Sequence, residues 1–119
     1  MKEILFIEAG MGIDLHGQDI NVAAERAIMD AIHYNSMPGI RKMLPSQDLN
    51  NMRVNVKLAV PKDEEKLDHE KIKSLLPYGT VTVETVAGGM ATTSGIFLED
   101  QQDENDLMYI VNAVVEVGY

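Results

Sequence analysis

Residues 52–60 alternate cleanly: Val54, Val56, Leu58 and Val60 point one way while Arg53, Asn55, Lys57 and Ala59 point the other. A period of two predicts a half-buried strand, ended by Pro61. The same period runs through Leu107, Tyr109, Val111, Ala113, Val115 and Val117. A helical stripe at 107, 110, 111 and 114 competes there, but Val-Val-Glu-Val fits a pleated surface better, so residues 107–117 are predicted as strand. Ile4-Leu5-Phe6-Ile7 marks residues 3–9 as a first strand buried on both faces, with Glu8 emerging near its end. Thr80 to Val86 makes another, Thr80, Thr82 and Glu84 opposing Val81, Val83 and Thr85. Apolar residues at 20, 24, 27, 28, 31 and 32 build one stripe of a helix that Asp19 caps and that ends at Asn35-Ser36, before Pro38-Gly39. Its opposite face carries Glu25, Arg26, Met29, Asp30 and His33, with Arg26 and Asp30 spaced to pair across one turn. Asp68 caps a short helix over 69–76 with Ile72, Leu75 and Leu76 inward, and residues 36–51 form a long connection, a candidate lid or interface loop, with a helical turn at 40–44. The order strand, helix, strand, helix, strand, strand predicts one two-layer α+β domain over residues 1–119, a βαβαββ arrangement with helices on one face of a four-stranded mixed sheet.

Chemistry concentrates in Gly10-Met11-Gly12-Ile13-Asp14-Leu15-His16-Gly17, directly after the first strand. Gly10, Gly12 and Gly17 give the backbone freedom for a tight turn or close approach to a ligand. Asp14 and His16, two apart, project from one face if the chain is extended, and a carboxylate beside an imidazole suits divalent-metal ligation or acid/base work. The competing reading is a capped loop in which both side chains bond the backbone. A metal site needs a third protein ligand, for which Glu8, Asp19 and Glu25 are the nearby donors. The second glycine-rich stretch, Gly88 to Gly95, brings backbone amides and the hydroxyls of Thr92, Thr93 and Ser94 together with Gly88 and Gly89, a composition able to hold a phosphate or carboxylate; a β-turn or bulge is the alternative. Five acidic residues between Glu99 and Asp106 are predicted as a solvated hairpin connection, because the run lacks the spacing of a calcium loop.

The pattern Gly-x-Gly-x-Asp-x-His-Gly resembles the signature of a small family of uncharacterised proteins of about this length, found in bacteria and as a domain in plants. Asp-x-His after a first strand, followed by Val22 to Ile32 and then by Ile40-Arg41-Lys42-Met43-Leu44-Pro45 and Asp48, is also distantly similar to methylerythritol cyclodiphosphate synthase. That resemblance implies the Bacillus chorismate mutase-like fold with first and last strands as parallel neighbours, a trimer, and Asp14 and His16 as ligands of a divalent metal. It also implies a nucleotide contact near Thr92 and Thr93. Arg26 departs from the pattern, standing where the synthase has a metal-binding histidine, so Glu25 or another residue would have to supply that ligand.

Nineteen acidic against ten basic residues give a net charge of −9, and no basic cluster exceeds Arg41-Lys42, which disfavours nucleic acid and anionic membrane as partners. With no cysteine, any metal, zinc or manganese in character, must be held by His and carboxylates. No apolar run approaches the roughly 20 residues of a membrane span, and Met1-Lys2-Glu3 leads straight into a strand, so a cytoplasmic location is expected. A sheet covered on one face only predicts self-association, with sites where the Gly10–Gly17 stretch of one subunit meets the Gly88–Gly95 stretch of another. Two functions follow: a metal-assisted enzyme acting on a small anionic metabolite through Asp14 and His16, or a non-catalytic small-molecule-binding or scaffolding homo-oligomer.

Overall fold

In the computed structural model, which describes residues 1–119, the alternating segments form a five-stranded mixed sheet. The strands are β1 (Ile4–Asp14), β2 (Arg53–Val60), β3 (Thr80–Ala87), β4 (Met90–Thr93) and β5 (Leu107–Gly118); the helices are α1 (Ile20–His33), α2 (Ile40–Met43) and α3 (His69–Ser74). The order across the sheet is β1-β5-β2-β3, with β2 parallel to β3 and antiparallel to β5. β4 pairs with the first half of β5, taking over where β2 ends. No helix is long and apolar enough to cross a membrane.

The α+β class, the two main helices, the helical turn after Gly39 and the strands at 53–60, 80–87 and 107–118 agree with the sequence pattern. Asp19 accepts a hydrogen bond from the Asn21 N–H at 2.9 Å, and Asp68 from the Lys71 N–H at 3.1 Å, so both predicted caps form. Three expectations are corrected. The sheet has five strands rather than four, because Gly89, at φ +62°, turns the chain sharply enough for Met90–Thr93 to pair with β5. The first and last strands are antiparallel, not parallel, from Ile4 opposite Gly118 to Asp14 opposite Tyr109. β1 runs on through Gly10 and Gly12 to Asp14, so most of the supposed loop is strand.

The reason for that extension lies in packing. Even-numbered residues of β1, including Glu8, Gly10, Gly12 and Asp14, face α1, whose small buried stripe is Ala23, Ala24, Ala27 and Ala31. A Cβ at Gly12 would stand 2.3 Å from the Ala23 oxygen and the Ala27 nitrogen; one at Gly10 would stand 2.4 Å from the Ala31 nitrogen. The glycines therefore let helix backbone lie almost on strand backbone. Beyond this contact the core is aliphatic except for Tyr109: Ile20 and Ile28 of α1, Val54, Val56, Leu58 and Val60 of β2, and Val111, Val115 and Val117 of β5, with Ile72 of α3. Glu8 does not emerge to solvent but is buried at 9% exposure, because it lies on the helix-facing side of β1.

α1 also guards the free edge of β1. Asp30 Oδ2 accepts a hydrogen bond from the Met11 N–H at 2.9 Å, and Arg26 Nη1 donates to the Ile13 carbonyl at 2.6 Å. Arg26 and Asp30 thus do not pair with each other as their spacing suggested; unpaired edge groups are stronger partners for them than a solvated ion pair.

Candidate functional site

Asp14 and His16 stand at the end of β1, but each has its own partner. Asp14, 6% exposed, accepts a hydrogen bond from the Asp19 N–H at 2.9 Å and lies 3.6 Å from the Arg26 guanidinium. Its carboxylate thereby ties the last residue of β1 to the start of α1. His16 Nδ1 lies 2.8 Å from Asp103 Oδ2, across 87 positions of sequence.

Asp103 is the residue the sequence reading missed. It sits inside the acidic run expected to be solvated, yet it is 7% exposed. Its Oδ1 accepts from the Gly17 N–H at 2.6 Å and from Gln18 Nε2 at 3.3 Å; its Oδ2 accepts from the Leu98 N–H at 2.8 Å and faces His16. Burial alone would raise its pKa, but the backbone bonds from Leu98 and Gly17, with the bond and charge of His16, outweigh it and lower the carboxyl from 3.8 to about 2. The Gln18 side chain completes the latch, donating to the Leu107 carbonyl at 2.7 Å and accepting from the Glu104 N–H at 2.9 Å. Gly17 at φ +94° and Gln18 at φ +46° make the turn that aims these groups at residues 98–107. Only the lone mid-run aspartate after Gln102, itself at φ +64°, offered a signal, and it does not differ in type from its acidic neighbours.

The imidazole is held at one nitrogen by a carboxylate while Nε2 has no hydrogen-bond partner in the chain, and the side chain keeps 23% exposure. This arrangement orients a histidine for ligation or proton transfer through Nε2. A mononuclear metal would need more. Glu25 points to α3, 3.9 Å from Lys71 Nζ, and Asp19 spends its side chain on the α1 cap. Glu8 lies further back along β1, hydrogen-bonded to Asn35. No group of three or more His, Asp and Glu side chains is arranged to hold a metal ion within the chain, so Asp14, His16 and Glu25 do not converge.

The second glycine-rich stretch comes to the same end of the sheet within one chain: Asp14 pairs with Tyr109 on one side of β5 and Ala91 with Tyr109 on the other. Two of its three hydroxyls are engaged. Thr93 Oγ1 donates to Asp106 Oδ2 at 2.6 Å, and Ser94 Oγ donates to the Ile96 carbonyl at 2.9 Å. Thr92 lies beside Met108 on the uncovered face of the sheet. Gly88 and Gly89 pack against Ala59 and the Ile110 carbonyl, and Gly10 and Gly12 against α1, so four of these glycines approach protein backbone or side chain closely.

An α+β protein with a one-sided helical layer and an aspartate-anchored histidine at the end of its first strand is thus defined. Residues 4–117 match the family described as "Conserved hypothetical protein (Lin0512_fam)", and the chain belongs to that family. It is similar to an FtsZ-like protein of unknown function from Nostoc punctiforme PCC 73102, whose crystal structure superposes with a TM-score of 0.86 at 37% identity, over 97% of this chain and 93% of that one. No curated protein matches.

Proposed function

We propose that this chain acts as a non-catalytic, self-associating scaffold whose copies meet through the face of the sheet that no helix covers. The carrying observation is the composition of that face. By register, Ile13, Ile110 and Met90 form one cross-strand row and Met11, Asn112, Ala59 and Val86 the next; the third, Ala9, Val114, Lys57 and Glu84, turns polar at β2 and β3. Met11, Met90 and Val86 are each more than half exposed. In a chain with 19 acidic residues, none falls within the first two rows. Glu84 and Glu116 stand at their border, both bonded to Asn55, in the polar half with Lys57. An apolar patch rimmed by polar residues is the usual mark of an interaction surface.

Protection of the β1 edge by Arg26 and Asp30 favours contact through the face over strand addition at that end. A trimer is the specific form proposed. Sedimentation velocity across micromolar concentrations tests it: the wild type should sediment as an oligomer and Met11→Lys with Val86→Lys as a folded monomer. A monomeric wild type would refute the reading.

A second reading rests on His16. Its free Nε2, with Nδ1 fixed by Asp103, supports acid/base work or a shared metal site completed by donors from a neighbouring copy, acting on a small anionic metabolite. Calorimetric titration of chelator-stripped protein with zinc and manganese tests this, and binding unchanged in His16→Ala would refute it.

A further inference from the structure

The opposite end of α1 carries a different chemistry. A cavity of about 150 Å³ opens where the C-terminal turn of α1, the start of β2 and the segment after α3 meet, lined by Ile32, Val54, Leu76 and Val117 and, at its mouth, by the half-exposed Tyr78. Into this apolar space projects one charged side chain, Glu8. Its Oε2 accepts a hydrogen bond from Asn35 Nδ2, and it has no ion pair and no other hydrogen bond. No sealed side-chain oxygen in the protein lacks a partner, so the free Oε1 reaches accessible space, and Glu8 is the one carboxylate on the wall of this cavity.

We infer that this cavity is a binding site for a small primary amine with an apolar body, the ammonium bonded to Glu8 and the body among Ile32, Val54, Leu76 and Val117. Buried carboxylates in proteins are paired, and this one lacks a cationic partner inside the chain. An ammonium supplies both the charge and donors for the unused oxygen. A metal ion is a poor match, because Glu8 is the only carboxylate, and no histidine joins it, on the cavity wall. The size suits one ring or a short branched chain, since apolar cavities of about 150 Å³ admit benzene. The net charge of −9 favours a cation over an acid. The site stands apart from His16 and from the uncovered sheet face, so it does not depend on the self-association proposed above.

Benzylamine is the probe, with benzyl alcohol and toluene as uncharged controls of similar shape, followed by calorimetry and by chemical-shift changes of Glu8, Asn35 and Val54 amides. Saturable binding of benzylamine with Kd of about 1 mM or tighter is expected. Glu8→Gln, which keeps the side chain's size, should weaken it about tenfold while leaving toluene unaffected, because only the charge-assisted bond is lost. Leu76→Trp, at a half-buried wall position, should abolish binding of all three by filling the space. Equal affinity for benzylamine and benzyl alcohol, binding unchanged in Glu8→Gln, or no saturation by any probe, meaning a cavity that holds water only, would each overturn the proposal.

Discussion

Gly12→Ala should destabilise this protein by about 3 kcal/mol, and the reason is steric rather than conformational. Among the glycines of the first motif only Gly17 has a positive φ; Gly12 is ordinary strand. An added methyl would lie 2.3 Å from two backbone atoms of α1 and 2.7 Å from Arg26 Cβ. Ordinary carbon contacts begin at about 3.5 Å, so α1 must retreat by roughly 1 Å. A gap of that size forfeits a quarter to a half of the dispersion well for the side chains beneath it, and Ile20, Ala24, Ile28 and Ala31 all lie there. Against this, alanine restricts the unfolded chain and returns about 0.4–1 kcal/mol. Overpacking of about 1–3 kcal/mol, occasionally more, exceeds that gain, and a rigid backbone neighbour places the case at the upper end. Gly39→Ala is the control, since nothing lies within 4 Å of its Cβ position and its φ is −91°. Urea unfolding should give a lower midpoint with an unchanged slope for Gly12→Ala, and a melting temperature lower by on the order of 10 °C. A Gly12→Ala protein within 0.5 kcal/mol of wild type, or no less stable than Gly39→Ala, would mean the helix does not lie on β1 as described.

Gly89→Ala combines a φ of +62° with a Cβ position 2.1 Å from the Ile110 carbonyl, so it should unpair β4 and expose the Met90–Thr93 amides to hydrogen exchange. Asp103→Asn leaves one acceptor oxygen for a set of four donors, so exchange of the Gly17 and Leu98 amides should speed up about tenfold or more, with the core of β2 and β5 unchanged. The Asp103 carboxyl lies below its ordinary value, so its stabilising contribution is complete above about pH 4 and is lost as pH falls toward 2; Asp103→Asn should flatten the acid limb of a stability–pH curve in that window. Asp19→Ala should cost about 1 kcal/mol through loss of the α1 cap, read by thermal unfolding.

The strands with clean alternation were legible because one side chain in two meets the core, and β-branched composition decided for strand where a helical stripe competed, at residues 107–117. Val54 to Val60 and Leu107 to Val117 took their predicted faces for this reason. The end of β1 was not legible in the same way. Gly10 and Gly12 suggest a turn when taken alone, yet they continue a period of two with Glu8 and Asp14, and the stripe Ala23, Ala24, Ala27 and Ala31 is its counterpart in the helix. Small residues on both partners are the sequence trace of close backbone approach. The partners of Glu8 and Asp103 left no such trace. Each depends on contacts far along the chain, Asn35 for one and the His16–Gln18 turn for the other, and a carboxylate carries no mark of the donors that will find it.

The strand–helix contact also explains why two carboxylates can be buried in so acidic a chain. α1 is about 21 Å long, and it touches β1 along most of that length. Because Gly10 and Gly12 bring the two backbones together at the middle, the residues on either side of them in β1 are carried to the two halves of the helix. Asp14 reaches the first turn and accepts the Asp19 amide, where the helix dipole favours a negative charge; Glu8 reaches the last turn and takes the Asn35 amide, where the dipole opposes one. Asp14 is therefore satisfied by the fold itself, with Arg26 beside it. Glu8 is left with one neutral donor beside an open cavity, and that asymmetry between the two carboxylates is the ground on which the amine site is proposed.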